Sequence, residues 1–145
     1  MTKCARTGDA DVNYLDTSAF LKLIVDETHS KSLRRAIAAA ELWSSTLLAV
    51  EAHRAGIRLG LAPEAVDARL AVVTFVVPSE STFEVARSIG PANLRTLDAV
   101  HLAAATELGD DLEGLITYDQ RLAAACASIG IEVIAPGSRP RWWTL

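Results

Sequence analysis

The sequence predicts an α/β fold, a three-layer α/β/α sandwich around a mostly parallel central sheet. Two observations carry this. Short apolar runs alternate with helical patterns from residue 12 to residue 135, the order that parallel strands and crossover helices produce, with helices on both faces. The chain has 145 residues, half of them hydrophobic and 22% charged, enough to bury the core of one domain. No internal repeat, low-complexity tract or linker divides it, so residues 12–145 read as a single domain behind a flexible leader at 1–11.

The elements follow in order. "VNYL" (12–15) reads as a strand that stops at Asp16, and 17–25 as a helix. A second helix covers 30–40, with its basic residues on one flank, before a short strand at 41–44. Ser45 caps a helix over 46–59 that ends at Gly60, and Pro63 opens the next, to about Ala71. "VVTFVV" (72–77) is short, β-branched and closed by Pro78, the pattern of a buried strand. Helices at 80–89 and 97–108, a strand at 114–118, a helix at 120–128 and a last strand at 131–135 complete the alternation.

Composition excludes several classes. No apolar stretch approaches the ~18–20 residues of a membrane span. The first eleven residues lack the apolar core of a secretory signal. Cys4 and Cys126 have no metal or redox spacing, which suits reduced thiols in a cytoplasmic protein. The net charge of −4 argues against gripping nucleic acid by bulk charge, unless some carboxylates are committed to a cation. Phosphate-binding glycine loops, the nucleophile elbow and a cysteine–histidine pair are all missing. An aspartyl-phosphate enzyme would need D-x-D, and position 18 is Ser18.

Four acids stand in positions that need an explanation. Asp16 and Asp119 each end a strand just before a helix. A helix cap accounts for either one; a parallel sheet would also bring both to the edge where ligands bind. Glu51 falls within the apolar stripe Leu47, Leu48, Ala55, Leu59 of its helix, where an acid is rare unless paired or metal-bound. Asp98 lies in the first turn of its helix behind Thr96 as the expected cap, where the helix dipole alone favours an acid. His101 completes D-x-x-H with Asp98 but reads equally as a core histidine, and His29 and His53 read as surface or helix-face residues. Trp142 and Trp143, beside Arg139 and Arg141, suit packing on the domain or a partner better than RNA stacking.

Taken in register, "YLDTSAFLKL", Glu51 in "SSTLLAVEAHRA", "LRTLDAVHLAAA" and "LITYDQRLAAAC" resemble the PIN-domain family, in particular the VapC-type toxin ribonucleases of bacterial toxin–antitoxin pairs. The resemblance spans about residues 12–135; the leader before Val12 is longer than these toxins usually carry. It implies a PIN-like fold and a Mg²⁺- or Mn²⁺-dependent endoribonuclease that cleaves structured RNA such as tRNA or rRNA and stops translation. It implies Asp16, Glu51, Asp98 and Asp119 as catalytic carboxylates, with Asp16 and Asp98 as the direct metal ligands. Ser18 and Thr117 would hydrogen-bond these acids from behind. Lys22, Lys31, Arg34, Arg35, Arg54 and Arg95 are the candidate phosphate contacts. The implied partners are a VapB-like antitoxin and a second copy of the chain, in the cytoplasm and away from membranes. Two other readings stay open: a PIN-like binding module without catalysis, and a metal-dependent phosphatase on a different α/β sheet.

Overall fold

The computed structural model describes residues 12–144, so the leader at 1–11 and Cys4 lie outside the described residues. Within them the alternation holds. Strands β1 (Val12–Leu15), β2 (Glu41–Ser45), β3 (Thr74–Val76), β4 (Leu112–Ile116) and β5 (Val133–Ile134) form one sheet in the order β3-β2-β1-β4-β5. Every pairing in it is parallel. The connections carry α1 (Thr17–Ile24), α2 (Ser30–Ile37), α3 (Leu47–Leu59), α4 (Pro63–Leu70), α5 (Glu80–Ala86), α6 (Thr96–Thr106) and α7 (Gln120–Ser128).

The period of two along the strands divides the core. Leu15, Leu42 and Ile116 pack with Phe20 and Leu23 of α1, Leu33 of α2, Leu48 of α3 and Val66 of α4. Their neighbours Tyr14 and Leu115 face the other way, onto Leu102 of α6 and Leu122 and Cys126 of α7. This gives the three layers the sequence predicts. Cys126 is a free, buried thiol whose pKa burial pushes up to about 12, so it fills space and stays protonated. Trp142 and Trp143 meet edge to face at 6.0 Å in a short 3₁₀ turn that packs on α7.

The predicted strands differ in their bounds: the one expected at 114–118 lies at Leu112–Ile116, and the one at 131–135 narrows to Val133–Ile134. The run 72–77 narrows to Thr74–Val76 and lies at the edge of the sheet, with Val72 and Val77 66% and 75% exposed. It has β2 as its one neighbour among the described residues; Val73 and Phe75 reach one side of the core and Val76 the other. Helix ends are also trimmed: the helix predicted over 30–40 closes at Ile37 and that over 80–89 at Ala86.

The topology fixes where a site belongs. After β1 the chain builds outward through β2 and β3, then returns to place β4 and β5 on the opposite flank of β1. The crevice beyond the carboxyl ends of β1 and β4 is therefore the topological switch point, where parallel α/β sheets bind ligands.

Candidate active site

Asp16 follows β1 directly and caps α1, accepting from Ala19 N at 2.9 Å. It is only 3% exposed. Ser18 Oγ lies 2.8 and 3.0 Å from its two oxygens, and Thr117 Oγ1 donates to Oδ2 at 2.7 Å. The turn after β4 directs both hydroxyl protons: Tyr118 N donates to Ser18 Oγ and Asp119 N to Thr117 Oγ1, each at 3.0 Å. With the oxygens occupied as acceptors, the hydroxyls have their protons left for Asp16. Desolvation still outweighs these bonds and pushes the Asp16 pKa up to about 6.

Asp119 holds the equivalent place after β4. Its Oδ1 caps α7, accepting from Leu122 N at 2.9 Å, and its Oδ2 accepts from Arg95 Nη2 at 2.7 Å. Both strand ends thus place an acid that caps the following helix. The other edge of the Arg95 guanidinium meets Asp98 Oδ2 through Nε at 2.9 Å. Burial raises the Asp98 pKa, against the opposing pull of Arg95. The expected cap, Thr96, is instead the first helical residue of α6; Arg95 stands at the cap position with an extended backbone and no capping side-chain bond. Its side chain is drawn to the two carboxylates.

Glu51 departs from the expected stripe. The buried face of α3 is Leu48, Ala52, Ala55 and Gly56, Leu59 is 54% exposed, and Glu51 lies at the border of that face. From there it reaches His101 Nε2 through Oε1 at 2.5 Å and lines a pocket of about 320 Å³ with Arg95, Thr96, Leu97 and Asp98. The expected Ser45 cap is replaced by Thr46, although Ser45 Oγ still accepts from Leu47 N at 3.2 Å.

His101 is the residue the sequence weighed most lightly. It is 1% exposed, as a core histidine should be, yet both ring nitrogens are engaged, one of them by Glu51. Its i+3 spacing from Asp98 was the one signal available. His53 pairs with Asp67 at 2.8 Å, and His29 stacks on Tyr118 at 5.5 Å. Of the six basic candidates, Arg95 is the one bonded to site carboxylates. Lys22 is held by Glu27 and Arg34 by Asp26, each at 3.3 Å, while Lys31, Arg35 and Arg54 are exposed.

Asp16, Asp98 and Asp119 are therefore joined at one sheet edge through Thr117 and Arg95, and Glu51 lines the adjoining pocket with Arg95 and Asp98. A Mg²⁺-like ion asks for a few hard oxygen ligands and keeps several waters. The Arg95 guanidinium stands as a cation between Asp98 and Asp119, so an ion at those oxygens would take its place. Thr17 Oγ1, next in sequence to Asp16, is buried and unpartnered among the described residues. Among the described residues no group of three or more His, Cys, Asp or Glu stands close enough together to hold a metal ion.

Comparison with known proteins supplies the family and the fold. The PIN domain family matches residues 14–128. Ribonuclease VapC47 of Mycobacterium tuberculosis is 36% identical over 132 residues, covering 86% of this chain and 97% of the relative. Ribonuclease VapC46 of the same species is 40% identical over 125 residues, 85% and 96% of the two chains. The crystal structure of M. tuberculosis VapC20, titled a sarcin–ricin loop cleaving toxin, superposes with a TM-score of 0.67 at 17% identity. It covers 88% of this chain and 99% of that one, which shows a shared fold. By sequence and by fold, the chain belongs to the PIN-domain family and, within it, to the VapC-type ribonucleases.

Proposed function

We propose that the chain is a Mg²⁺- or Mn²⁺-dependent endoribonuclease, the toxin of a toxin–antitoxin pair, which cleaves structured RNA such as tRNA or rRNA and so inhibits translation. The observation that carries the metal-dependent reading is the excess of carboxylate at the switch point: Asp98 and Asp119 share one arginine, Glu51 lines the same pocket, and Asp16 lies behind Asp119 through Thr117. The relatives' name, ribonuclease, supports RNA as the substrate. A VapB-like antitoxin covering the site and a homodimer in the cytoplasm complete the reading. Among the described residues no helix is long and apolar enough to cross a membrane.

Asp16 and Asp98 would hold the ion and Asp119 would complete its surroundings. When bound, such an ion lowers the pKa of water and neutralises charge developing on a phosphate. The chain's own groups do the rest. Ser18 and Thr117 keep the Asp16 oxygens in place, which preorganises the site before substrate arrives. Glu51, at the rim of the pocket, accepts a proton from the attacking water and orients it toward phosphorus. Arg95, freed from the carboxylates, is long enough and exposed enough to meet a phosphate oxygen.

Because water attacks, the 2′-hydroxyl is not needed, and the products carry a 5′-phosphate and a 3′-hydroxyl. The test incubates the purified protein with total RNA in Mg²⁺, in Mn²⁺ and in EDTA, followed by end-labelling. Metal-dependent fragments with those ends support the proposal; a 2′,3′-cyclic phosphate, or cleavage undiminished in EDTA, overturns it. The Arg95 bridge favours one second reading, a binding module whose acids are permanently neutralised. Metal-dependent cleavage would exclude it.

A further inference from the structure

Behind Glu51 runs a buried chain of hydrogen bonds that packing does not require. Ser45 N donates to Tyr14 Oη at 3.1 Å, Tyr14 Oη meets His101 Nδ1 at 2.6 Å, and His101 Nε2 meets Glu51 Oε1 at 2.5 Å. Tyr14 is fully buried and His101 nearly so, whereas the Glu51 side chain is 21% exposed. The chain thus leads from the interior of the sheet to the mouth of the site. The two rings stand edge to face, 5.7 Å apart at 72°.

The direction of the protons follows from the fixed ends. A backbone amide can only donate, so Tyr14 Oη accepts from Ser45 N; the ionised Glu51 oxygen can only accept, so Nε2 donates to it, and a neutral imidazole then takes the Tyr14 proton at Nδ1. An imidazole whose Nδ1 accepts carries its proton on Nε2, where it meets Glu51. One oxygen of Glu51 is then bound and the other is left for the pocket. We infer that His101 is a positioning residue for the Glu51 carboxylate, kept by Tyr14 in the tautomer that donates to Oε1. Asp98 lies one turn earlier on α6, so the same helix carries a carboxylate of the site and the group that fixes another from α3. The inference rests on the reading of Glu51 as the carboxylate that orients water.

Three variants of the full chain test it. In H101Q the side-chain amide nitrogen takes the place of Nε2 and still donates to Glu51; in H101N it reaches only the place of Nδ1. H101N should lower kcat by about 10–100-fold, as loss of an outer partner does, with KM for RNA unchanged. H101Q should recover most of that loss. Y14F, which keeps the ring and removes the donor, should lower kcat in the same direction. In ¹⁵N-histidine NMR of the metal-free protein, His101 should appear as the Nε2–H tautomer, with Y14F mixing the two tautomers. The inference is overturned if H101N cleaves at the wild-type rate, if H101Q is no better than H101N, or if Y14F leaves the His101 resonances unmoved. A wild-type chain that cleaves no RNA with any ion removes the proposed function instead. The His101–Glu51 link is then judged by E51Q, which must shift the Nε2 resonance or the link is rejected too.

Discussion

Thr117 Oγ1 donates to Asp16 Oδ2 at 2.7 Å, although 101 positions separate the two residues. The bond joins the ends of β1 and β4, and Asp119 N sets its direction by donating to Thr117 Oγ1. Thr117→Val keeps the shape of the side chain and deletes the donor. It should weaken Mn²⁺ binding by about 10–100-fold, the usual effect of losing a partner behind a ligand. Titration calorimetry reads this directly, and an unchanged affinity would mean that Thr117 serves only the turn.

Asp16→Asn separates charge from capping. Asn keeps an oxygen that can accept from Ala19 N, so α1 retains its cap. The charge that a cation needs is gone. The variant should melt cooperatively and cleave no RNA in Mg²⁺ or Mn²⁺. Cleavage at the wild-type rate would reduce Asp16 to a cap.

The raised pKa of Asp16 gives the metal-free protein a pH signature. Burial lifts it from 3.8 to about 6, so across that window the folded state binds more protons than the unfolded state. Stability therefore falls as pH rises from about 4 to 6, by roughly 3 kcal/mol at ~1.36 kcal/mol per pH unit. Asp16→Asn lacks this loss. In EDTA, its denaturation midpoint should exceed that of the wild type by more at pH 7 than at pH 4. A difference between the two proteins that does not vary with pH would show that Asp16 is ionised without penalty.

What the sequence revealed depended on how far each signal reached along the chain. Asp16 and Asp119 were legible because a strand end, an acid and a helix start stand within a few residues of each other. The parallel alternation was legible for the same reason. The edge position of β3 was not, since "VVTFVV" fits a central strand and the order β3-β2-β1-β4-β5 is set by packing. His101 stayed ambiguous because its partners, Tyr14 and Glu51, are 87 and 50 positions away on β1 and α3. Thr96 illustrates the converse case. It has the chemistry of a cap, yet it is the first residue of α6, and Arg95 before it turns its side chain to Asp98 and Asp119.

Arg95 and the metal should compete. The guanidinium lies 2.9 Å from Asp98 and 2.7 Å from Asp119, and a divalent ion drawn to those oxygens must displace it. Arg95→Gln removes the competitor and leaves Asp98, whose pKa burial already raises, with less to offset its charge. The metal-free variant should melt lower than the wild type, and its rise in melting temperature on adding Mn²⁺ should be larger. A ligand at one hundred times its dissociation constant stabilises the folded state by about 2.7 kcal/mol, so even a modest gain in affinity is visible in a melt. Asp98→Asn should do the opposite on both counts: it relieves the buried charge, raises the metal-free melting temperature and weakens the response to Mn²⁺. Melts of the three proteins in EDTA and in excess Mn²⁺ check both signs. An Arg95→Gln response no larger than that of the wild type would show that the arginine does not compete. An Asp98→Asn protein that melts lower without metal, with an undiminished rise in Mn²⁺, would place Asp98 outside the ion's reach and leave it as a dipole residue of α6.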